Sequence, residues 1–400
     1  MTTFNRHLAL SATGLLAATA LATALATTPA LAQDPVRVGV ILTLSGPPAS
    51  LGEQARDGFQ LAIEKLGNEL GGRPVEVIVV DDELKPDVAI TRVQGLIERD
   101  DVDFVVGPIF SNIALAIARP VVEADRFLIS PNAGPSPLAG ADCHPNFFAT
   151  SYQNDQNHEV MGAVAQSRGY ERVVLLTPNY QAGRDAMAGF KRHFEGTVLD
   201  EIYVPLGQLD FSAELARIAS LSPDAIFTFM PGGMGVNLVR QYSQAGLTDR
   251  IPFLSAFTVD ESTLPAQQDA AVGMYGGMSW APDMDNEANR AFVSAFEEKY
   301  GRVPASYAAF AFDTAMLLDS VVRAVDGDLS DRDAVREAIR AADFDSVRGD
   351  FAFNTNNFPV QNFYLVQVHK RDDGLFETRI VERVFEEYGD VYASECQMGG

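Results

Sequence analysis

The spacing of apolar and polar positions changes repeatedly along this chain. The segment "VRVGVILTL", beginning at Val36, is almost unbroken in apolar residues, as a strand buried on both faces requires. Over 52 to 70, Ala55, Phe59, Ala62, Ile63, Leu66 and Leu70 are spaced to share one face of a helix. The alternation continues with a strand at "VEVIVVDD", a helix over 86 to 99, a strand at "FVVGPI", a helix over 111 to 125 and a strand at "RFLISP". Around 147 to 153 this series stops and another starts: helix 155 to 168, "RVVLLTP", helix 184 to 194, "EIYVPL", helix 211 to 221, "AIFTFMP", helix 234 to 245 and "PFLSAF". Beyond "GGMSWAPD", helices are expected at 285 to 300 and 305 to 325, then strands at "GDFAFN" and "NFYLVQVHK". Apolar strands alternating with amphipathic helices predict parallel sheets covered on both faces. Two such series predict two α/β lobes.

Open parallel sheets bind ligands beyond the carboxyl ends of their strands. The residues there in the first series are Ser45-Gly46-Pro47-Pro48, Gly107-Pro108-Ile109-Phe110-Ser111 and "SPNAGPS" at 130 to 136. In the second series they are "TPNYQAG" at 177 to 183, "PGGMG" at 231 to 235 and "SAFTVD" at 255 to 260. These tips offer backbone N–H groups, hydroxyls and rings, with almost no titratable side chains, which suits binding better than catalysis. In "FVVGPIFSN", 104 to 112, a strand turns at Gly107 and Pro108 into Ser111 and Asn112, two favoured helix-capping residues. Free N–H groups and the positive end of a helix would converge there on an anion.

Length and composition agree with two lobes, since 400 residues at 47% hydrophobic content suffice for two cores. The first 32 residues stand apart: Arg6 and His7 precede a run rich in Leu and Ala that ends Ala30-Leu31-Ala32. This is the pattern of a secretory signal peptide cleaved after Ala32, with a membrane anchor as the alternative. Removal of Arg6 takes the formal net charge from −24 to −25, a surface that repels nucleic acid and anionic membrane. Two cysteines, Cys143 and Cys396, leave one disulfide to be formed in an oxidising compartment. Two buried free thiols are the alternative.

Enzymatic chemistry finds no support. His144, His158, His193 and His369 share no metal-ligand spacing with each other or with cysteine, and each is read as structural. No phosphate loop, dinucleotide fingerprint or G-x-S-x-G run occurs, and "GGMG" at 232 to 235 lacks the Lys and Ser/Thr of a phosphate loop. No cofactor, metal or catalytic residue is therefore expected. A secreted hydrolase remains the least favoured alternative.

In order and spacing, "VRVGVILTLSGPPASLGEQARDGFQLAIEKL", "VVGPIFSNIALAIARPVVE", "FLISPNAG", "NYQAGRDAMAGFK" and "YAAFAFDTAMLL" resemble the type I periplasmic solute-binding proteins of the leucine/isoleucine/valine-binding family, which serve ABC transporters. The resemblance implies a periplasmic receptor with two Rossmann-like lobes, parallel sheets and a three-strand hinge. Its expected lobes are 33 to 152 with 281 to 355, and 153 to 280 with 356 to 400. It also implies a membrane permease as partner and a monomer as the default state. By the same resemblance Ser111 would grip a ligand carboxylate, helped by Asn132 and Ala133, with Ser45 and Phe110 nearby. Tyr180 and Tyr307 would be pocket aromatics, and Leu51 stands where some members have a tyrosine.

One departure narrows the ligand. Phe257 occupies the position where amino-acid-binding members carry an acidic partner for the α-ammonium, and Asp260 and Glu261 would restore one only through a shifted loop. An unpaired desolvated ammonium costs several kcal/mol, so the ligand is expected to lack one. "SPNAGPSPLAGADCHPNFF", "TPNYQAGRDAMAGFK" and the late Cys396-Gln397-Met398 further resemble the branch associated with benzoate and hydroxycinnamate derivatives. The expected ligand is thus an aromatic carboxylate, with a branched-chain amino acid or an amide as the alternative.

Overall fold

The computed structural model describes residues 34–398; the expected signal peptide and its cleavage point lie outside them. Along the chain run β1 (Val36–Leu42), α1 (Ala49–Lys65), β2 (Glu69–Leu70), β3 (Arg73–Asp81), α2 (Pro86–Glu98), β4 (Phe104–Val106), α3 (Ser111–Glu123), β5 (Phe127–Ser130), α4 (Ser136–Ala139) and β6 (Phe147–Ala149). These strands form one sheet in the order β2-β3-β1-β4-β5-β6, parallel except for the short β2. The chain continues through α5 (Asn154–Ser167), β7 (Arg172–Pro178), α6 (Gln181–Arg192), β8 (Thr197–Val204), α7 (Ser212–Leu221), β9 (Ala225–Thr228), α8 (Gly233–Gln244), β10 (Phe253–Ser255), α9 (Leu264–Gln267) and β11 (Tyr275–Met278). It then runs through α10 (Glu287–Tyr300), α11 (Ser306–Ala324), α12 (Arg332–Ala341), β12 (Ala352–Phe353), β13 (Pro359–Lys370) and β14 (Phe376–Tyr388).

The second sheet has the order β12-β13-β11-β10-β9-β7-β8, with β14 paired to β13. Its β7 to β11 pairs are parallel, whereas β11–β13, β12–β13 and β13–β14 are antiparallel. The chain crosses between the sheets after β6, after β11, whence α11 returns to pack along α1, and again on the way to β13. The expected α/β fold, two Rossmann-like lobes linked by three crossovers, is what forms.

Local chemistry explains the parallel part of each sheet. β1 and β4 are apolar on both faces because helices cover both, and they pair in register Val38 with Phe104 and Val40 with Val106. The strand "RVVLLTP" coincides with β7. Helix α12 and the long β14 were not anticipated. In α12 the charged positions so outnumber Val335 and Ile339 that no apolar block announces it. In β14, "FETRIVERVFEEY" lies largely exposed at a sheet edge, so alternation is weak. Cys143 and Cys396 are bonded, S–S 2.12 Å, across 253 residues of sequence. Among the described residues no helix is long and apolar enough to cross a membrane.

Candidate functional site

A cavity lies where the carboxyl ends of the two sheets meet. In the first sheet β1 and β4 are neighbours, yet β1 leads away to β3 and β4 leads the other way to β5. In the second, β7 leads to β8 and β9 to β10 in the same diverging manner. Each divergence opens a crevice at the strand ends, and the two crevices share one cavity. Leu51 of α1 and Ile109, Phe110 and Ser111 come from the first; Tyr180, Ala182, Phe229 and Pro231 come from the second. Asn132, Ala133, Phe257 and Tyr307 complete the wall with Tyr152, Asn154 and His158 from the first crossover. The walls stand close together, with space between them for little more than one water molecule.

The α3 end is built from glycine outward. Gly107 has φ +130°, and a Cβ there would stand 2.0 Å from the carbonyl oxygen of Ile41. Only glycine lets the chain drop so close beside β1 and enter α3 at once. Phe110, extended at φ −105° and ψ 140°, holds the N-cap position, and its carbonyl accepts from Ile113 and Ala114 N–H, both at 3.0 Å. Ser111 is therefore the first helical residue, not the cap that "FSN" suggested. Its N–H and that of Asn112 precede any intrahelical acceptor. The Ser111 hydroxyl oxygen accepts from Asn154 Nδ2 at 3.0 Å, which leaves its proton to donate into the cavity.

Asn132 reaches the cavity wall and Ser45 does not. Asn132 lines the cavity with its side chain partly engaged by protein: Nδ2 donates to the Ile109 carbonyl at 2.6 Å, and Oδ1 accepts from the Tyr152 hydroxyl at 2.7 Å, which leaves one N–H and one lone pair. It braces the wall. Ser45 is exposed and outside the cavity, because its loop reaches the other lobe instead, where Gly233 N–H donates to the Pro47 carbonyl at 3.2 Å. From that first strand end, Leu51 is the residue on the cavity wall.

The remaining walls are aromatic. Tyr152 stacks on Phe257 with centroids 5.1 Å apart, Phe257 meets Tyr307 at 6.0 Å, Tyr180 stacks on Phe229 at 6.2 Å, and Phe110 meets Tyr180 at 6.1 Å. Phe257 adopts φ +55°, a costly conformation for a bulky residue, and the rings around it hold it there. Burial raises the phenols of Tyr180 and Tyr307 well above their ordinary pKa, so both stay protonated donors. Trp280 lies outside the cavity, buried in the core with its indole N–H donating to Asn289 Oδ1 at 2.8 Å. Arg184 is on the surface, against Gln181.

Among the described residues the cavity wall carries no Asp, Glu, Lys or Arg. Asp260 and Glu261 are buried behind the wall, Asp260 near enough to the Tyr152 and Tyr307 phenols for its charge to add to burial in raising them, and Asp260 Oδ2 and Glu261 Oε2 have no hydrogen-bond partner among the described residues. Asp260 Oδ1 accepts from the Ser262 N–H at 2.8 Å, and Glu261 Oε1 accepts from both the N–H and the hydroxyl of Thr378 at 2.7 Å. Burial pushes both upward, Glu261 to about 8. A third carboxylate, Asp185 of α6, closes the rim. It accepts from the Ser136 N–H and hydroxyl at 3.2 and 2.7 Å, from Gln181 at 2.8 Å and from Asn154 at 2.8 Å. Burial, with the Asp155 charge second, raises Asp185 to about 6.

A family model described as periplasmic binding protein matches residues 35–374. The chain belongs to that family. The Leu/Ile/Val-binding protein homolog 6 of Brucella melitensis is 28% identical over 368 residues, 89% of this chain and 93% of its own. Among solved structures, a solute-binding protein of an ABC transporter from R. palustris in complex with benzoate is 32% identical. It covers 91% of this chain and all of its own at a TM-score of 0.86. Another, from Rhodopseudomonas palustris BisB5 in complex with 3,4-dihydroxybenzoic acid, is 30% identical at a TM-score of 0.82, covering 90% and 99%.

For this periplasmic binding protein, the expectations gathered Phe110, Ser111, Asn132, Ala133, Tyr180, Phe257 and Tyr307 into one cavity wall. They missed Ile109, Tyr152, Asn154, His158, Ala182, Phe229 and Pro231. The segment "TSYQNDQNHE" reads as a solvated turn and helix face, yet every residue from Asn146 to Gly162 is buried. It is covered from both lobes, which helical periodicity does not encode. One local signal was available: Gln153 accepts from Asp155 N–H at 3.0 Å while Gln156 reaches back to Gln153 N–H at 2.9 Å, a capping box that sets Asn154 and His158 one turn apart on one face. The described residues contain no cluster of three or more His, Cys, Asp or Glu side chains able to hold a metal ion.

Proposed function

We propose that this protein is the substrate-binding component of an ABC importer and takes an aromatic carboxylate of the benzoate or hydroxycinnamate type. The observation that carries the reading is the cavity wall itself. Six aromatic rings surround a space into which the N-terminus of α3 opens, with no carboxylate on the wall to pair an ammonium. The anion sits on Ser111 and the first N–H groups of α3, and the rings enclose its apolar body. Hydrogen bonds to a charged group contribute about 1.5 to 3 kcal/mol each, so two or three cover much of the roughly 8 kcal/mol of micromolar binding.

The lobes, taken as 33–152 with 281–355 and 153–280 with 356–400, close on the guest as a hinge. Only the closed form touches it from both sides, so binding shifts the balance toward closure. The protein works in the periplasm as a monomer, hands its ligand to a membrane permease, and carries no catalytic residue. A thermal-shift panel tests this, because a ligand bound only by the native state raises its melting temperature. Benzoate and 4-hydroxybenzoate are expected to raise it, and leucine and valine to leave it unmoved; the reverse pattern overturns the ligand class.

A further inference from the structure

We propose that His158 reads a hydroxyl on the ligand's aromatic ring. The inference rests on the aromatic-carboxylate reading and extends it to the choice among such acids.

His158 is 2% exposed and stands on the cavity wall. Its ring lies among Phe227, Phe229 and Phe257 at centroid distances of 5.6, 5.1 and 6.3 Å. Nδ1 is sealed in the protein with no hydrogen-bond partner among the described residues, and none of those residues bonds Nε2, which is not among the sealed atoms. A buried histidine held for structure is ordinarily tied to a carbonyl or carboxylate, since an unpaired buried polar group costs about 1 to 3 kcal/mol. Any apolar ring would fill the same space without that cost. A polar ring kept there unpaired fits a partner that arrives with the guest.

The chemistry of that partner follows. Burial takes the imidazole pKa down to about 3, so the ring is neutral, with one nitrogen a donor and the other an acceptor. A neutral imidazole holds no charge to compete with α3 for the carboxylate. It matches a hydroxyl, which both donates and accepts. Position agrees: Asn154, whose Nδ2 is 3.0 Å from Ser111 Oγ, lies four residues before His158 on α5. The two side chains leave the same face of α5 one turn apart, and Ser111 and His158 line the same cavity.

The test measures dissociation constants of 4-hydroxybenzoate and benzoate by calorimetry for the mature protein freed of bound ligand, and for His158→Phe and His158→Gln. The wild type is expected to prefer 4-hydroxybenzoate by tenfold or more, His158→Phe to discriminate by threefold or less, and His158→Gln to regain part of the preference. A wild type that binds both acids while His158→Phe keeps the full preference overturns this inference alone. A wild type that binds neither overturns the functional reading as well. Should His158→Phe fail to fold, ¹⁵N spectra of the wild type decide: the histidine that does not titrate between pH 5 and 8 should shift with 4-hydroxybenzoate and not with benzoate, and equal spectra with both acids overturn the proposal.

Discussion

Asp185, carried on α6 after β7, accepts both the backbone N–H and the hydroxyl of Ser136, which follows β5 in the opposite sheet, at 3.2 and 2.7 Å. The bond spans the cleft, and the same carboxylate holds Asn154, which in turn holds Ser111. A contact made only when the lobes meet weights the balance toward closure. Asp185→Ala is expected to weaken benzoate binding about tenfold, matching the loss of about 1.4 kcal/mol. X-ray scattering should then show a more open average shape at equal ligand concentration. Unchanged affinity would remove Asp185 from the closing contact.

In the proposed site Ser111 offers both its hydroxyl and its backbone N–H, and the two are separable. Proline is tolerated at the first helical position, and Phe110 before it is already extended, as a residue preceding proline must be. Ser111→Ala should cost about tenfold in affinity and Ser111→Pro about 100-fold, with α3 intact by circular dichroism, each lost bond to an anion being worth about 1.5 to 3 kcal/mol. Equal losses for the two variants would show that the Ser111 N–H plays no part.

Phe257 combines a ring on the cavity wall with a left-handed backbone. Phe257→Ala and Phe257→Gly should both lose at least tenfold in affinity for benzoate. The glycine variant should nevertheless be the more stable of the two by about 1 kcal/mol in urea unfolding, because glycine accepts positive φ without strain. Alanine equal to or above glycine would mean that the backbone there is unstrained.

Glu261 gives a pH signature. Its folded pKa, about 8, lies above the ordinary glutamate value of 4.5, chiefly through burial. The folded state thus binds a proton more tightly than the unfolded chain. This group's favourable contribution is complete below about pH 4.5 and is lost as pH rises through 8. Glu261→Gln should flatten the decline in melting temperature between pH 5 and 8.5. A parallel decline in wild type and variant would assign that dependence to other groups.

The disulfide closes a loop spanning 253 residues, and a bridge over a long loop stabilises by about 2 to 4 kcal/mol, chiefly by restricting the unfolded chain. Replacing Cys143 and Cys396 by serine should lower stability by that amount in urea unfolding while benzoate affinity stays within twofold, since neither cysteine lines the cavity. A large loss of affinity would tie the tail to the site.

What was legible in the sequence were features that local pattern encodes. Strands such as β7 and the helices α1 and α3 declare themselves through periodicity. Ser111, Tyr180 and Phe257 declare themselves by standing just beyond apolar strands. Three kinds of information were not local. Tyr152, Asn154 and His158 sit in a polar segment whose burial comes from both lobes at once. The bonds that brace Asn132 were equally hidden, because its partners, Ile109 and Tyr152, are 23 and 20 residues away in sequence. Ser45 looked equivalent to the other strand-end residues, but its neighbours at Pro47 are drawn across to Gly233.

The facing pair of diverging strands has a consequence for how such a receptor changes its diet. In the proposed reading, charge recognition would hang on main-chain atoms at the end of β4, which side-chain replacement scarcely alters, while the opposite half supplies three of the six enclosing rings, Tyr180, Phe229 and Phe257. Remodelling those rings retunes which acids enter without rebuilding the acid grip, so a biosensor designer would diversify Phe229 and Phe257 and leave the "GPIFS" corner untouched.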